Sequence, residues 1–211
     1  MSPSNPESSP RLSQKEIDKI RCDELSKQLH NPYAGEIFRS AIICFDRFSV
    51  LKDVKISIHP ESSIYAGGYN GNGELEIYLG TAEGSINSRI KSRITERFGL
   101  PEGQDLPDRF YKLFIFAHEI GHVVQKDEKF KEIYGDYDDS ILDPDTDYKT
   151  YVTSENEVLA DYIAAQIISN TEFGRVLGIE PPEEEPKEWR QWAERNNIND
   201  TIRKFYDQNG N

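Results

Sequence analysis

Between Leu12 and Leu29 the apolar positions Leu12, Ile17, Ile20 and Leu25 recur at roughly helical spacing, which predicts a first helix. NPYAGEIFRSAIICFDRF follows. Pro32 suits a helix start, and Ile37, Phe38, Ala41, Ile42 and Phe45 mark a packed second helix. The period then changes to two. Val54, Ile56 and Ile58 alternate with Lys55, Ser57 and His59, the pattern of a half-buried strand. Leu75, Ile77 and Leu79 alternate with Glu76 and Tyr78 in the same way. Between the two runs lies AGGYNGNG, whose Asn-Gly pairs favour tight turns, so a hairpin ending near Leu79 is expected. The glycines feed an alternating strand and carry no GK[ST], so they do not read as a phosphate loop.

Helical periodicity returns in INSRIKSRITERFGL, closed by Gly99, and in LPDRFYKLFIFAHEIGHVVQKD. An acidic segment, YGDYDDSILDPDTDY, interrupts it. SENEVLADYIAAQIIS is then an amphipathic helix with Val158, Leu159, Tyr162, Ile163, Ala165 and Ile167 placed to bury. Residues 1–10 are too polar to pack and are expected to be disordered. Residues 11–180 read as one domain. Residues 181–211 read as a linker and a helical extension packed on it, anchored by Trp189, Trp192, Ile198, Ile202 and Phe205.

Composition narrows the function classes. The 211 residues suffice for one sizeable core. A formal charge of −13 argues against nucleic acid or an anionic membrane surface as a partner. No run approaches the roughly 18 apolar residues of a spanning helix, and the start lacks the pattern of a secretory signal. Cys22 and Cys44 lie in different predicted helices without metal-ligand spacing. They read as reduced structural thiols, and the expected location is cytoplasmic.

The chemistry concentrates in FIFAHEIGHVVQ. His118 and His122 are one helical turn apart on one face, about 6 Å from each other, and can converge on one metal ion. Glu119 points about 100° round the helix, where a carboxylate can reach a water at the metal without binding the metal. The apolar flanks predict a buried helix, in which two unpaired histidines and a glutamate would be costly. Gly121 costs such a helix about 1 kcal/mol relative to alanine. That is understandable if another element approaches closely there.

A catalytic zinc usually takes three protein ligands. The metzincin continuation fails, because Gln125 and Glu128 stand where its glycine and third histidine would be. His30 and His59 lie outside the motif and read as solvated. Glu157 is the better third ligand, because Asp161, one turn on, can accept the second N–H of a ligand histidine. Glu155, at the start of that helix, is the rival. The acidic segment does not fit a calcium loop, since Tyr148 and Ser154 occupy its glycine and glutamate positions. It reads as a solvated loop or as a flap over the cleft.

AHEIGH followed by ENEVLADYIAAQ resembles the gluzincins, zinc peptidases with HExxH and a downstream ExxxD. Within them it is similar to ImmA/IrrE-type and minigluzincin-like peptidases. The likeness covers residues 114–168 and is only architectural before them. It implies a zinc-dependent endopeptidase with His118, His122 and Glu157 as ligands, Glu119 as base and Asp161 behind the ligands. It also implies a sheet whose edge strand pairs with an extended protein or peptide substrate, a role that Glu74–Leu79 would fit. The transition-state donor such enzymes use is unassigned, with Tyr148 and Tyr151 as candidates. The expected fold is α+β, a small, mostly antiparallel sheet on a helical layer, with the HExxH helix antiparallel to the glutamate helix. The alternative is a regulatory or binding module that keeps the metal site but acts on one partner or cleaves nothing. A third is a structural helix without metal.

Overall fold

Ser13 starts the first helix. Its backbone N–H and its hydroxyl both donate to the Glu16 carboxylate, at 2.8 and 2.7 Å, tying down the first turn. The computed structural model describes residues 13–46, 48–59, 67–69, 73–78, 86, 88–100, 106–134 and 155–182. The expectations for the tail 1–10, the acidic segment 135–147, Tyr148, Tyr151 and the extension from 183 onward fall outside these residues.

Helix α1 (Gln14–Gln28) buries only Cys22 and Leu25. Helix α2 (Tyr33–Cys44) follows and is far more apolar, with Ile37, Phe38 and Ala41 fully buried. The two helices approach closely at Gly35, where a Cβ would stand 2.4 Å from the carbonyl oxygen of Cys22. A short helix α3 (Val50–Asp53) leads into the sheet.

The sheet has three strands in the order β1-β3-β2: β1 (Lys55–His59), β2 (Gly67–Tyr69) and β3 (Glu74–Tyr78). Three sequence expectations are corrected here. β1 and β3 pair in parallel, Ile56 opposite Leu75 and Ile58 opposite Ile77, and so do not form a hairpin. The antiparallel partner of β3 is β2, a strand within the glycine-rich stretch, and Gly73 at φ 81° stands at the turn between them. The sheet is therefore mixed, and its longer pairing is parallel. The reason lies in what alternation reports. A period of two tells which face is buried, and it is the same for a strand paired either way. Leu75 and Ile77 are fully buried as expected. β3, however, is the central strand with β1 and β2 on its two sides, so it is not the sheet edge.

Helix α4 (Ser88–Arg97) ends at Gly99, whose φ of 61° closes it in the expected way. Helix α5 (Asp108–Gln125) is the centre of the molecule and packs against α2, the later helix α7 (Glu155–Ser169) and the strands β2 and β3. Phe114, Phe116, Ile120, Val123 and Val124 are fully buried on it. Each such side chain stabilises by about 1.5–3 kcal/mol, which outweighs the ~1 kcal/mol cost of Gly121 in mid-helix. Asp127 then joins two helix starts, accepting from Lys129 N–H at the head of α6 (Glu128–Tyr134) and from Val50 N–H at the head of α3.

Helix α7 (Glu155–Ser169) is buried nearly all round, Ala160 and Ala164 completely, because α2, α5 and α8 (Glu172–Leu177) all lean on it. It runs antiparallel to α5, as expected. His118 meets Asp161, Gly121 faces Ala160, His122 meets Glu157 and the Gln125 amide donates to the Asn156 carbonyl. Among the described residues no helix is long and apolar enough to cross a membrane. Cys22 and Cys44 are free thiols. The class is α+β, predominantly helical, with the small sheet packed on α5.

Candidate metal centre

The helix geometry sets the site. His118 and His122 lie one turn apart on the face of α5 that meets α7, with Gly121 between them. A Cβ on Gly121 would stand 2.7 Å from the Ala160 carbonyl oxygen and 2.9 Å from its Cα, inside contact distance of backbone that cannot yield easily. Glycine is thus what lets the two backbones come together, and it brings Glu157 and Asp161 within reach of the imidazoles.

The polar atoms converge. The Nε2 atoms of His118 and His122 are 3.0 Å apart. Glu157 places one carboxylate oxygen 3.3 Å from His118 Nε2 and the other 3.2 Å from His122 Nε2. Asp161 Oδ1 lies 2.7 Å from His118 Nδ1. That contact holds the proton on Nδ1 and leaves the Nε2 lone pair aimed at His122 and Glu157. Glu157 and Asp161 are buried, and the two imidazoles nearly so.

This arrangement fits a divalent metal. Three donors bound tetrahedrally at ~2.0–2.1 Å lie about 3.3 Å from one another; here the two Nε2 atoms are 3.0 Å apart, Glu157 Oε1 is 3.2 Å from His122 Nε2, and one ligand atom from each of the three residues lies within 4.8 Å of the others. Two imidazole lone pairs and a carboxylate repel at such distances unless a proton or a cation lies among them. His118, His122 and Glu157 form a group able to hold a metal ion, the ligand set expected from the motif. The side chain of the rival Glu155 lies outside the described residues.

Charge on the site is strongly perturbed without a cation. Burial works against a protonated His118, but Asp161 and Glu157 outweigh it and push its pKa up to about 10. Burial also opposes the charged forms of Glu157 and Asp161. The histidines beside Glu157, and Arg93 and His118 beside Asp161, nevertheless hold both well below the usual carboxylate range. Glu119 goes the other way. It is buried, and desolvation raises its pKa against the pull of His122 and His118. Two neighbouring acids pushed apart in this way suit different tasks, one as a permanent anion and the other as a group that takes up and returns a proton.

Sequence reasoning missed Arg93 and Arg97. Both project from α4 onto α7. Arg93 bonds to Glu157 Oε2 at 2.9 Å and to both oxygens of Asp161, while Arg97 Nε lies 3.4 Å from Asp161 Oδ2. The signal was present as two arginines four residues apart beside the apolar positions Ile90, Ile94 and Phe98. From sequence it could not be told from a solvated face. His30 is exposed, as expected. His59 departs from expectation, since its ring stacks on Tyr78 at 4.7 Å and its Nε2 is buried. The reason is the parallel register, which sets His59 beside Tyr78. Neither histidine belongs to the metal-binding group.

No protein-family model, no curated protein and no solved structure matches this chain.

Proposed function

We propose that this protein is a zinc-dependent endopeptidase acting on a protein or peptide substrate, similar in its site to the gluzincins. The observation that carries the reading is one constellation. Two histidines one turn apart and a glutamate from an antiparallel helix form a three-donor group, and the buried Glu119 follows the first histidine. His118, His122 and Glu157 would hold the zinc. When bound, zinc supplies Lewis acidity toward the scissile carbonyl and the attacking water.

The protein's own groups supply the rest. Asp161 keeps the His118 proton on Nδ1, so Nε2 stays a donor to the metal. Glu119, its pKa raised by burial, takes the proton of the attacking water on its carboxylate and passes it to the leaving amine. An extended substrate would add to the sheet edge beside α5. β3 is excluded from that role because both of its sides are paired, whereas β2 packs against α5 and has no outer partner among the described residues.

Glu119→Gln is the direct test. It should retain zinc by metal analysis and lose at least about 100-fold in hydrolysis of a mixed peptide library. Wild-type turnover by that variant would refute the assigned base. Zinc without cleavage of any library member in the wild type would favour the regulatory module. Purified protein that carries no metal, and is unchanged in this by His118→Ala, would leave only a structural ion-pair cluster.

A further inference from the structure

Arg93 sits where no motif demands a residue. Its side chain is only 13 % exposed, and its guanidinium spans the two acids on α7's side of the site. One nitrogen donates to Glu157 Oε2 at 2.9 Å, and the same nitrogen and Nε reach Asp161 at 3.1 to 3.3 Å. Arg97, 8 % exposed and one turn on, lies against Asp161 from the same helix. Two arginines at i, i+4 on α4 thus face two carboxylates at i, i+4 on α7, and the four charges form a ladder.

The ladder acts on orientation. Asp161 can hold His118 Nδ1 only while its Oδ1 points at the ring, and the guanidiniums engage its oxygens, Arg93 both of them and Arg97 Oδ2. Glu157 can offer one oxygen to a metal while the other is occupied, and Arg93 occupies Oε2. A guanidinium does this through its planar fork, whereas an ammonium acts as a single point charge. Because it is itself a cation, Arg93 also repels a metal ion. Its ion pairs with Glu157 and Asp161 offset that repulsion.

We infer that Arg93, with Arg97 behind it, is a positioning residue of the metal centre, fixing Glu157 to present one carboxylate oxygen and Asp161 to face His118. This rests on the metal-site reading and adds to it a third helix, α4, as part of the site. Outer groups of this kind commonly change metal affinity 10- to 100-fold when removed.

The test is a zinc titration of folded, metal-free protein against a competing chelator, with circular dichroism confirming equal helix content. Arg93→Ala should bind zinc 10- to 100-fold more weakly. Arg93→Lys should restore only part of the loss, and Arg97→Ala, which keeps the Arg93 bond to Glu157, should lose less than Arg93→Ala. With cobalt(II) in place of zinc, Arg93→Lys should show weaker visible bands than wild type, as a freed Oε2 raises the coordination number. Should Arg93→Ala fail to fold, Arg93→Lys and Arg97→Ala carry the comparison.

Wild-type zinc affinity with an unchanged cobalt spectrum in the Arg93 variants would reduce the ladder to packing and overturn the inference. Tighter zinc binding would overturn it in the opposite sense, making Arg93 a competitor of the metal. The parent reading fails separately, if wild-type protein binds zinc no better than His118→Ala.

Discussion

Two helix seams in this protein are built the same way and end in different chemistry. At the α1–α2 seam Gly35 lets the backbone approach the carbonyl of Cys22, and at the α5–α7 seam Gly121 lets it approach Ala160. Around Gly35 the buried neighbours are mostly apolar, and the charged groups, Arg39 beside the Cys22 thiol and Arg21 over the Phe38 ring, face no carboxylate–histidine cluster. Ser26 bonds to the backbone N–H of Gly35, and Cys22, Ala34, Ile37 and Phe38 are buried beside it. Around Gly121 the next residues along the seam are His118, His122, Glu157 and Asp161. Close approach of two helices is therefore a general device for packing. It becomes a site only where the residues one turn away are ionisable and their lone pairs point inward. At the first seam close packing stabilises; at the second it also brings imidazole lone pairs and a carboxylate together, a state that asks for a cation or a proton.

The comparison breaks most visibly at Gly121. Gly121→Ala drives a Cβ into the Ala160 backbone. Overpacking costs about 1–3 kcal/mol, more than the ~1 kcal/mol that alanine returns in helix propensity at most positions in that range. We expect melting to fall by about 2–8 °C and zinc affinity to fall at least tenfold, read by thermal melts and a chelator competition. An unchanged affinity would mean that the seam does not set the donor spacing. Gly35→Ala should lower the melting temperature comparably, because its Cβ also meets a backbone carbonyl. Zinc affinity should stay within about twofold of wild type, since no ligand lies on that seam. A joint loss of stability and zinc at Gly35 would erase the distinction between the seams.

The two seams also differ in the pH dependence of the metal-free fold. The folded pKa of His118 is raised to about 10. Its contribution to stability is therefore complete below the ordinary histidine value of ~6.5 and is lost as pH rises through about 10. Melts of metal-free protein should decline across that window, and His118→Gln should flatten the decline. A profile already flat in the wild type would show that no proton is held there.

Several parts of the site were legible before any coordinates. An HExxH pair on an apolar helix fixes the relative places of two histidines and a glutamate by helical pitch alone, and His118, Glu119 and His122 stand where that pitch puts them. Glu157 and Asp161 were readable because they repeat at the same i, i+4 interval and so share a face. Gly121 was readable as a cost that some neighbour had to justify, and Ala160 is that neighbour. Arg93 and Arg97 were not readable, because a basic i, i+4 pair on an amphipathic helix looks the same whether it meets water or a buried acid. The sheet was half readable. Alternation identified Leu75 and Ile77 as core, but the Asn-Gly turn was assigned to the wrong partner strand, and β3 became an edge that it is not.

What the chain determined by itself is everything that depends on separation along one element: the helix carrying the motif, its buried face, the paired acids of α7 and the capped ends of α1 and α4. Those features follow from a pitch or a period acting over a few residues. What only the tertiary structure decided is which elements meet: β1 alongside β3 in parallel, α4 laid over α7, and the arginine ladder across two acids. Contacts between distant segments depend on the packing of the whole core, and no local spacing encodes them.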